Sequence, residues 1–249
     1  MFTIFPAIDL RGGKVVRLKQ GDPDRQTVYG DDPVATAKRW ADEGATWLHV
    51  VNLDGAFGDA DGSAANRRAL AAIATQTTLQ VQFGGGIRAL TDAQAAIDAG
   101  VERVVIGTAA VERPALVTAV LERFGAERLV VGLDSRDGMI VTRGWQHGTE
   151  VSAISAGEAL RAQGVKHALY TEVARDGMLT GVAAEMTAAL AQCTGLRVIA
   201  SGGVRDMRDI EELALYAPRG IAGVIVGRSL YEGTLRLAEA LAHAADAAG

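Results

Sequence analysis

An α/β fold that closes eight strands and eight helices into one (βα)8 ring is predicted by three observations on the chain. Short runs rich in β-branched residues alternate with alanine-rich stretches of helical period, and eight such pairs can be drawn along the 249 residues. Three phrases also recur in order. Phe5-Pro6-Ala7-Ile8-Asp9-Leu10-Arg11-Gly12-Gly13-Lys14-Val15-Val16 is answered 125 residues later by Val130-Val131-Gly132-Leu133-Asp134-Ser135-Arg136-Asp137-Gly138-Met139-Ile140-Val141. Gly85-Gly86-Ile87-Arg88 is answered after 117 residues by Gly202-Gly203-Val204-Arg205, and Val105-Ile106-Gly107-Thr108 after 120 by Ile225-Val226-Gly227-Arg228. Such ordered repetition points to a duplicated half-domain, with copies at about 1–125 and 126–249. Finally, no Pro/Ser linker or charge run separates the halves, and the length is ordinary for a single barrel domain spanning 1–249. An open doubly wound sheet is the rival architecture, but four βα units repeated twice close more naturally as a TIM barrel.

The elements follow in chain order. Strand Thr3–Asp9 is an apolar run that ends on a carboxylate, and Gly12–Gln20, carrying Lys14-Val15-Val16-Arg17-Leu18, reads as a small hairpin inserted after it. Asp32-Pro33 opens a helix over Pro33–Glu43, which Gly44 ends. Strands Trp47–Asn52 and Leu79–Phe83 precede a helix Thr91–Ala99 that stops at Gly100. Strand Arg103–Ile106 leads through Arg113-Pro114 into helix Pro114–Phe124. In the second half, strand Leu129–Asp134 is followed by a hairpin over Gly138–Trp145 and by helix Ser152–Gln163, closed by Gly164. Strand His167–Thr171, helix Ala183–Gln192, strand Arg197–Ala200, helix Arg208–Leu215, strand Gly223–Val226 and helix Leu235–Ala245 complete the series. At a barrel mouth the two hairpins could serve as lids; ordinary surface hairpins are the plainer reading.

Composition excludes several classes of function. Hydrophobic residues make up 49 %, yet no apolar run reaches the roughly 18–20 residues a membrane helix needs. Met1-Phe2-Thr3-Ile4-Phe5-Pro6 lacks a basic region and reads as a buried strand, so a cytoplasmic location is expected. A net charge of −5 with scattered Lys and Arg offers no stripe for nucleic acid. Cys193 is the only cysteine, which rules out an intramolecular disulfide and a thiolate metal cage; it reads as a small buried hydrophobe. His49, His147, His167 and His243 show no metal-ligand spacing, so no metal is expected.

Chemistry concentrates at two points. Asp9 and Asp134 each end a run that must be buried, Ile4-Phe5-Pro6-Ala7-Ile8 and Leu129-Val130-Val131-Gly132-Leu133. In a barrel those strand ends face the functional mouth, and duplication puts strands one and five opposite each other. Two carboxylates across a cleft suit an isomerisation that couples ring opening to proton removal beside a carbonyl or imine. The alternative is that each caps a turn. Asp54 and Asp176, in Asn52-Leu53-Asp54-Gly55 and Ala174-Arg175-Asp176-Gly177, form a weaker echo that plain Asp-Gly turns would also produce.

The second point is glycine. Gly84-Gly85-Gly86 and Gly202-Gly203 follow the third and seventh strands, while Gly107-Thr108 and Gly227-Arg228-Ser229 follow the fourth and eighth. Backbone N–H groups freed of side chains can close on an anion at a helix start. Two paired sets predict two phosphate sites and a long ligand phosphorylated at both ends. Trp145 beside Arg143 could stack on a heterocycle while the guanidinium meets an anion; a tryptophan that pins its own loop is equally consistent.

These motifs together resemble the ProFAR isomerase family of histidine biosynthesis. The resemblance runs through Pro6-Ala7-Ile8-Asp9-Leu10, Leu53-Asp54-Gly55-Ala56, Gly84-Gly85-Gly86-Ile87-Arg88, Gly107-Thr108-Ala109, Val131-Gly132-Leu133-Asp134, Thr171, Arg175-Asp176-Gly177, Ser201-Gly202-Gly203-Val204 and the stretch Val226–Gly233. It implies a half-barrel duplication and a cofactor-free Amadori rearrangement of an aminoaldose to an aminoketose. It further implies Asp9 as the base at C2′, Asp134 as the acid that assists ring opening with Asp176 as the alternative donor, and Thr171 as a hydrogen-bonding partner of the substrate. Arg17, Gly85, Gly86, Gly107, Thr108, Arg143, Trp145, Gly202, Gly203, Gly227 and Arg228 are the expected substrate and phosphate contacts. The related cyclase opens with Cys-Leu-Asp and has lysine where Arg17 lies, so Ala7 and Arg17 favour the isomerase. Asn52 and Glu172 depart from the family pattern, where aspartate is common at each place.

The implied substrate is a small bisphosphorylated molecule, with no nucleic acid, membrane or obligate protein partner. A dual isomerase that also accepts phosphoribosyl anthranilate is the nearest alternative. A non-catalytic phosphosugar-binding barrel is the alternative of another class, and it would have no need of Asp9 and Asp134.

Overall fold

Alternation along each strand decides which side of a wall a residue faces. The computed structural model, which describes residues 2–246, applies this rule eight times. The wall strands are β1 (Thr3–Arg11), β2 (Trp47–Asn52), β3 (Gln80–Gly84), β4 (Arg103–Ile106), β5 (Leu129–Arg136), β6 (His167–Glu172), β7 (Arg197–Ser201) and β8 (Ile221–Val226). Each pairs in parallel with the next, and β8 returns to β1 through Thr3↔Gly223 and Phe5↔Ile225. The fold is a closed (βα)8 TIM barrel, as the βα alternation predicts.

The two faces of the wall form two cores. Phe5, Ala7, Val105, Val130, Leu169, Ile199 and Ile225 fill the barrel interior. Their neighbours Ile4, Ile8, Leu10, Val104, Val131 and Val198 face outward, into the larger core beneath the helices. Parity therefore carries Asp9 inward, two residues beyond Ala7, and Asp134 inward, four beyond Val130. A carboxylate at the end of each run lies above an apolar plug.

Eight helices cover the wall: Pro33–Asp42, Ala60–Gln76, Leu90–Asp98, Pro114–Phe124, Ala153–Ala162, Ala184–Thr194, Met207–Leu215 and Leu237–Asp246. Seven match expectation to within two residues at each end. Ala60–Gln76 is not anticipated from the sequence, because its first turn, Ala60-Asp61-Gly62-Ser63, reads as loop. Asp59 nonetheless caps it, accepting from the backbone of Asp61 and Gly62. Cys193 corrects another expectation, since it is exposed. Its helix buries Ala184, Thr187, Ala188, Leu190, Ala191 and Thr194, a stripe of helical period that leaves position 193 on the water side.

The insertions are larger than small hairpins. After β1, Lys14–Lys19 pairs antiparallel with β1 and with a further strand, Asp22–Gly30. After β5, Met139–Thr142 pairs with β5 and with His147–Ser152. Both added strands are largely exposed, so neither carries the apolar alternation that would reveal it. Among the described residues, no helix is long and apolar enough to cross a membrane.

Candidate active site

The C-terminal ends of the barrel strands and the two insertions enclose a cavity of about 890 Å³. All fifteen residues expected from the sequence to act or to bind line it: Asp9, Asp134, Asp176, Thr171, Arg17, Gly85, Gly86, Gly107, Thr108, Arg143, Trp145, Gly202, Gly203, Gly227 and Arg228.

The carboxylates have different partners. Asp9 Oδ2 accepts from Arg17 Nη1 at 2.6 Å, and Arg17 Nη2 donates to the carbonyl of Ala7 at 3.0 Å. Burial raises the Asp9 pKa, and the adjacent guanidinium offsets part of that rise. Asp134 receives neutral donors instead: Trp145 Nε1 at 2.9 Å and the Thr171 hydroxyl, its register partner on β6. Its pKa is also raised by burial, against those two hydrogen bonds. Asp176, on the loop after β6, is pushed up to about 7 by burial and by repulsion from Asp9 and Asp134, with Arg17 opposing.

The weaker aspartate echo separates into two roles. Asp176 lines the cavity, whereas Asp54 is buried outside it and works as a clamp. Asp54 Oδ2 accepts from Gly12 N at 2.6 Å and from Asn66 Nδ2 at 2.9 Å, tying the base of the first insertion to the loop after β2. The two residues that depart from the family pattern also lie outside the cavity. Asn52 holds Gly55 N and bonds Ser63 and Asn66, while Glu172 receives the Ser135 hydroxyl.

The glycine phrases form matched pairs. Gly85 and Gly202 have φ of +96° and +88°, a conformation that costs other residues strain, and a side chain on Gly85 would collide with the backbone of Asn52. Arg88 N donates to Asp92 Oδ2 and Arg205 N to Asp209 Oδ2, both carboxylates four residues on. Gly107 and Gly227 each precede a five-residue helix, Thr108–Glu112 and Arg228–Glu232. Gly227 needs its bare α-carbon for a different reason: its φ is ordinary, but a Cβ there would collide with the guanidinium of Arg17.

Each insertion crosses to the other half's glycine loop. From the first, Arg17 reaches Gly227, and Tyr29 donates to Glu232 Oε1 at 2.6 Å. From the second, Arg143 N donates to Thr108 Oγ1 at 2.8 Å and Arg143 Nε to Glu112 Oε1 at 3.0 Å. The insertions also meet. The Trp145 ring lies against Gly21, and Gln20 binds the carbonyls of Asp176 and Ala174 at 3.2 and 3.1 Å. Trp145 thus pins its loop and also contacts a carboxylate.

His49 is a cavity residue that sequence reasoning does not single out, since the four histidines show no metal-ligand spacing and the expected chemistry requires no histidine. His49 shares the register of Ala7 and faces inward. It pairs with Gln82 Nε2 at 3.0 Å, and burial lowers its pKa to about 3, so the ring is neutral. Strand parity relative to Trp47 and Val51 is the signal that could have found it. Among the described residues, no cluster of His, Cys, Asp or Glu could hold a metal ion.

The "Histidine biosynthesis protein" family profile matches residues 3–236. A relative from Hahella chejuensis is 49 % identical over 238 residues, covering 95 % of this chain and 96 % of its own. One from Rhizorhabdus wittichii is 49 % identical over 238 residues, covering 96 % of both chains. One from Geobacillus thermodenitrificans is 45 % identical over 240 residues, again covering 96 % of both. All three are named 1-(5-phosphoribosyl)-5-((5-phosphoribosylamino)methylideneamino) imidazole-4-carboxamide isomerase. Those names give no support to an added activity on phosphoribosyl anthranilate.

Proposed function

The chain belongs to the histidine biosynthesis protein family, and from that premise we propose that it is an enzyme converting the aminoaldose ProFAR to the aminoketose PRFAR, the step its relatives are named for. The observation that carries this reading is the inward-facing carboxylate set between two glycine cradles, within one cavity.

Each group then has a task. An acid donates a proton to the ring oxygen as the C1′–O bond breaks and an iminium forms. Asp9, ionised beside Arg17, takes the C2′ proton, leaving an enaminol that rearranges to the ketone by losing its hydroxyl proton and gaining one at C1′. Protons given and taken balance, so the chemistry needs no external cofactor. Both candidate acids have the raised pKa that a proton donor needs, and we assign the proton to Asp176. Burial raises Asp134 against the hydrogen bonds from Trp145 and Thr171, and burial with two neighbouring carboxylates, against Arg17, raises Asp176 to about 7. Asp134 then holds Trp145 and Thr171 in place at the reacting centre. The glycine loops after β3 and β4, and after β7 and β8, are the proposed phosphate sites, one set in each of two duplicated halves. Arg17, Thr108, Arg143 and Arg228 complete them. A small bisphosphorylated substrate handled in the cytoplasm, without nucleic acid, membrane or obligate protein partner, fits this reading.

The test is turnover of ProFAR by the purified protein and by Asp9→Asn. The variant should bind ligand nearly as the wild type does yet lose about 10²–10⁴-fold in kcat, as removal of a general base predicts. Near-normal turnover by Asp9→Asn would defeat the assignment.

A further inference from the structure

The three carboxylates share one cavity, yet among the described residues only Asp9 has a cation bound to it. Arg17 holds Asp9 through Nη1 and the Ala7 carbonyl through Nη2. The Tyr231 hydroxyl donates to the same Ala7 carbonyl at 2.9 Å, and the Tyr231 ring lies 5.6 Å from the Arg17 guanidinium carbon. Arg17 Nε is buried and has no partner among the described residues, so the guanidinium is held by its two Nη groups and by the ring face. Tyr231 is in turn wedged from behind by Trp40, edge-on at 5.6 Å, and by Tyr29 at 4.7 Å. The repeat does not reproduce this device. At the offset of 120 residues Tyr231 is answered by Val111, and at 125 Arg17 is answered by Thr142.

We infer that Tyr231 is a positioning residue for the isomerisation, acting through Arg17 to hold the guanidinium against Asp9 and so to distinguish the base from the other two carboxylates. The inference rests on the function proposed above. The charged or titratable groups facing this unit are Asp176 from the loop after β6, His49 from β2, Arg39 from the first helix, Tyr29 from the strand Asp22–Gly30 and Tyr231 itself. Of these, Tyr231 alone touches both the Ala7 carbonyl and Arg17.

Tyr231→Phe keeps the ring and removes the hydroxyl; Tyr231→Leu removes both. With ProFAR as substrate, Tyr231→Phe should lower kcat about 3- to 10-fold, the effect of one neutral hydrogen bond, with KM within about twofold of wild type. A loosened Arg17 lowers the Asp9 pKa less, so the low-pH limb of kcat/KM should move to higher pH, and further for Tyr231→Leu. In an Arg17→Gln background Tyr231→Phe should add nothing. Wild-type kcat with an unmoved limb in Tyr231→Phe, a raised KM alone, or full additivity with Arg17→Gln would overturn the inference. Loss of thermal stability without these kinetic changes would do so too, since a merely structural tyrosine behaves that way. A wild-type protein inert toward ProFAR would instead overturn the proposed function, which keeps the two failures distinct.

Discussion

At the residue scale, three aspartates in one cavity differ in their surroundings: a bound guanidinium for Asp9, an indole and a hydroxyl for Asp134, and for Asp176 burial beside two carboxylates, with the Arg17 charge acting through space. The carboxyl of Asp176 is raised from 3.8 to about 7, which has two consequences of opposite value to the enzyme. A donor must hold its proton, so activity should fall as pH rises through about 7, and Asp176→Asn should abolish that alkaline limb along with most of kcat. Stability carries the reverse sign. The folded state binds the proton more tightly than the unfolded chain, so this contribution is full below 3.8 and is lost as pH rises toward 7. Asp176→Asn should therefore melt higher than wild type at pH 8, with the gap closing toward pH 5. Equal melting curves at both pH values would show that Asp176 is not held neutral by the fold. Two aspartates ending apolar runs are legible in a sequence, because burial makes a charge conspicuous. The difference between Asp54 and Asp176 is not, since each is followed by glycine and only the packing turns one outward as a clamp and the other into the cavity.

At the scale of elements, the barrel strands can be read as short apolar runs because both their faces are buried, and seven of the eight helices from helical period because each buries one face. The exposed strands Asp22–Gly30 and His147–Ser152 bury almost nothing, so they leave no such pattern. They nonetheless extend the two insertions over the mouth. Their meeting point tests the lid reading: a Cβ on Gly21 would lie 2.5 Å from Trp145 Cε3, and Gly21 has φ of +71°. Gly21→Ala should displace Trp145 from Asp134. The expected result is a loss of about tenfold in kcat/KM, with kcat and KM both affected as for a lid residue. Steady-state kinetics alongside tryptophan fluorescence would check it, and unchanged spectra with unchanged rates would reduce both insertions to surface hairpins.

At the scale of the whole molecule, crossed reach is the organising feature: the first insertion contacts the Gly227 loop and the second contacts the Gly107 loop. A ligand with a phosphate at each end would engage both, and one with a single phosphate would leave half the contacts unused. Asp9→Asn saturated with ProFAR at about 100 times Kd should gain about 2.7 kcal/mol, a rise in Tm of roughly 5–10 °C. Ribose 5-phosphate at the same concentration should give a much smaller shift; equal shifts would argue for one phosphate site. What the sequence by itself determined is the closed barrel, its two copies of each key phrase and the placing of Asp9, Asp134 and the glycine loops at the cavity, because strand parity and glycine placement are local constraints written along the chain, while Arg17 and Thr171 are expected there through the family resemblance. Only the tertiary structure decided which partner each carboxylate has, that His49 is a neutral cavity residue, and that each insertion serves the opposite cradle. Those contacts join residues far apart in the chain, and electrostatic character depends on what burial brings within a few ångströms, which no periodicity records.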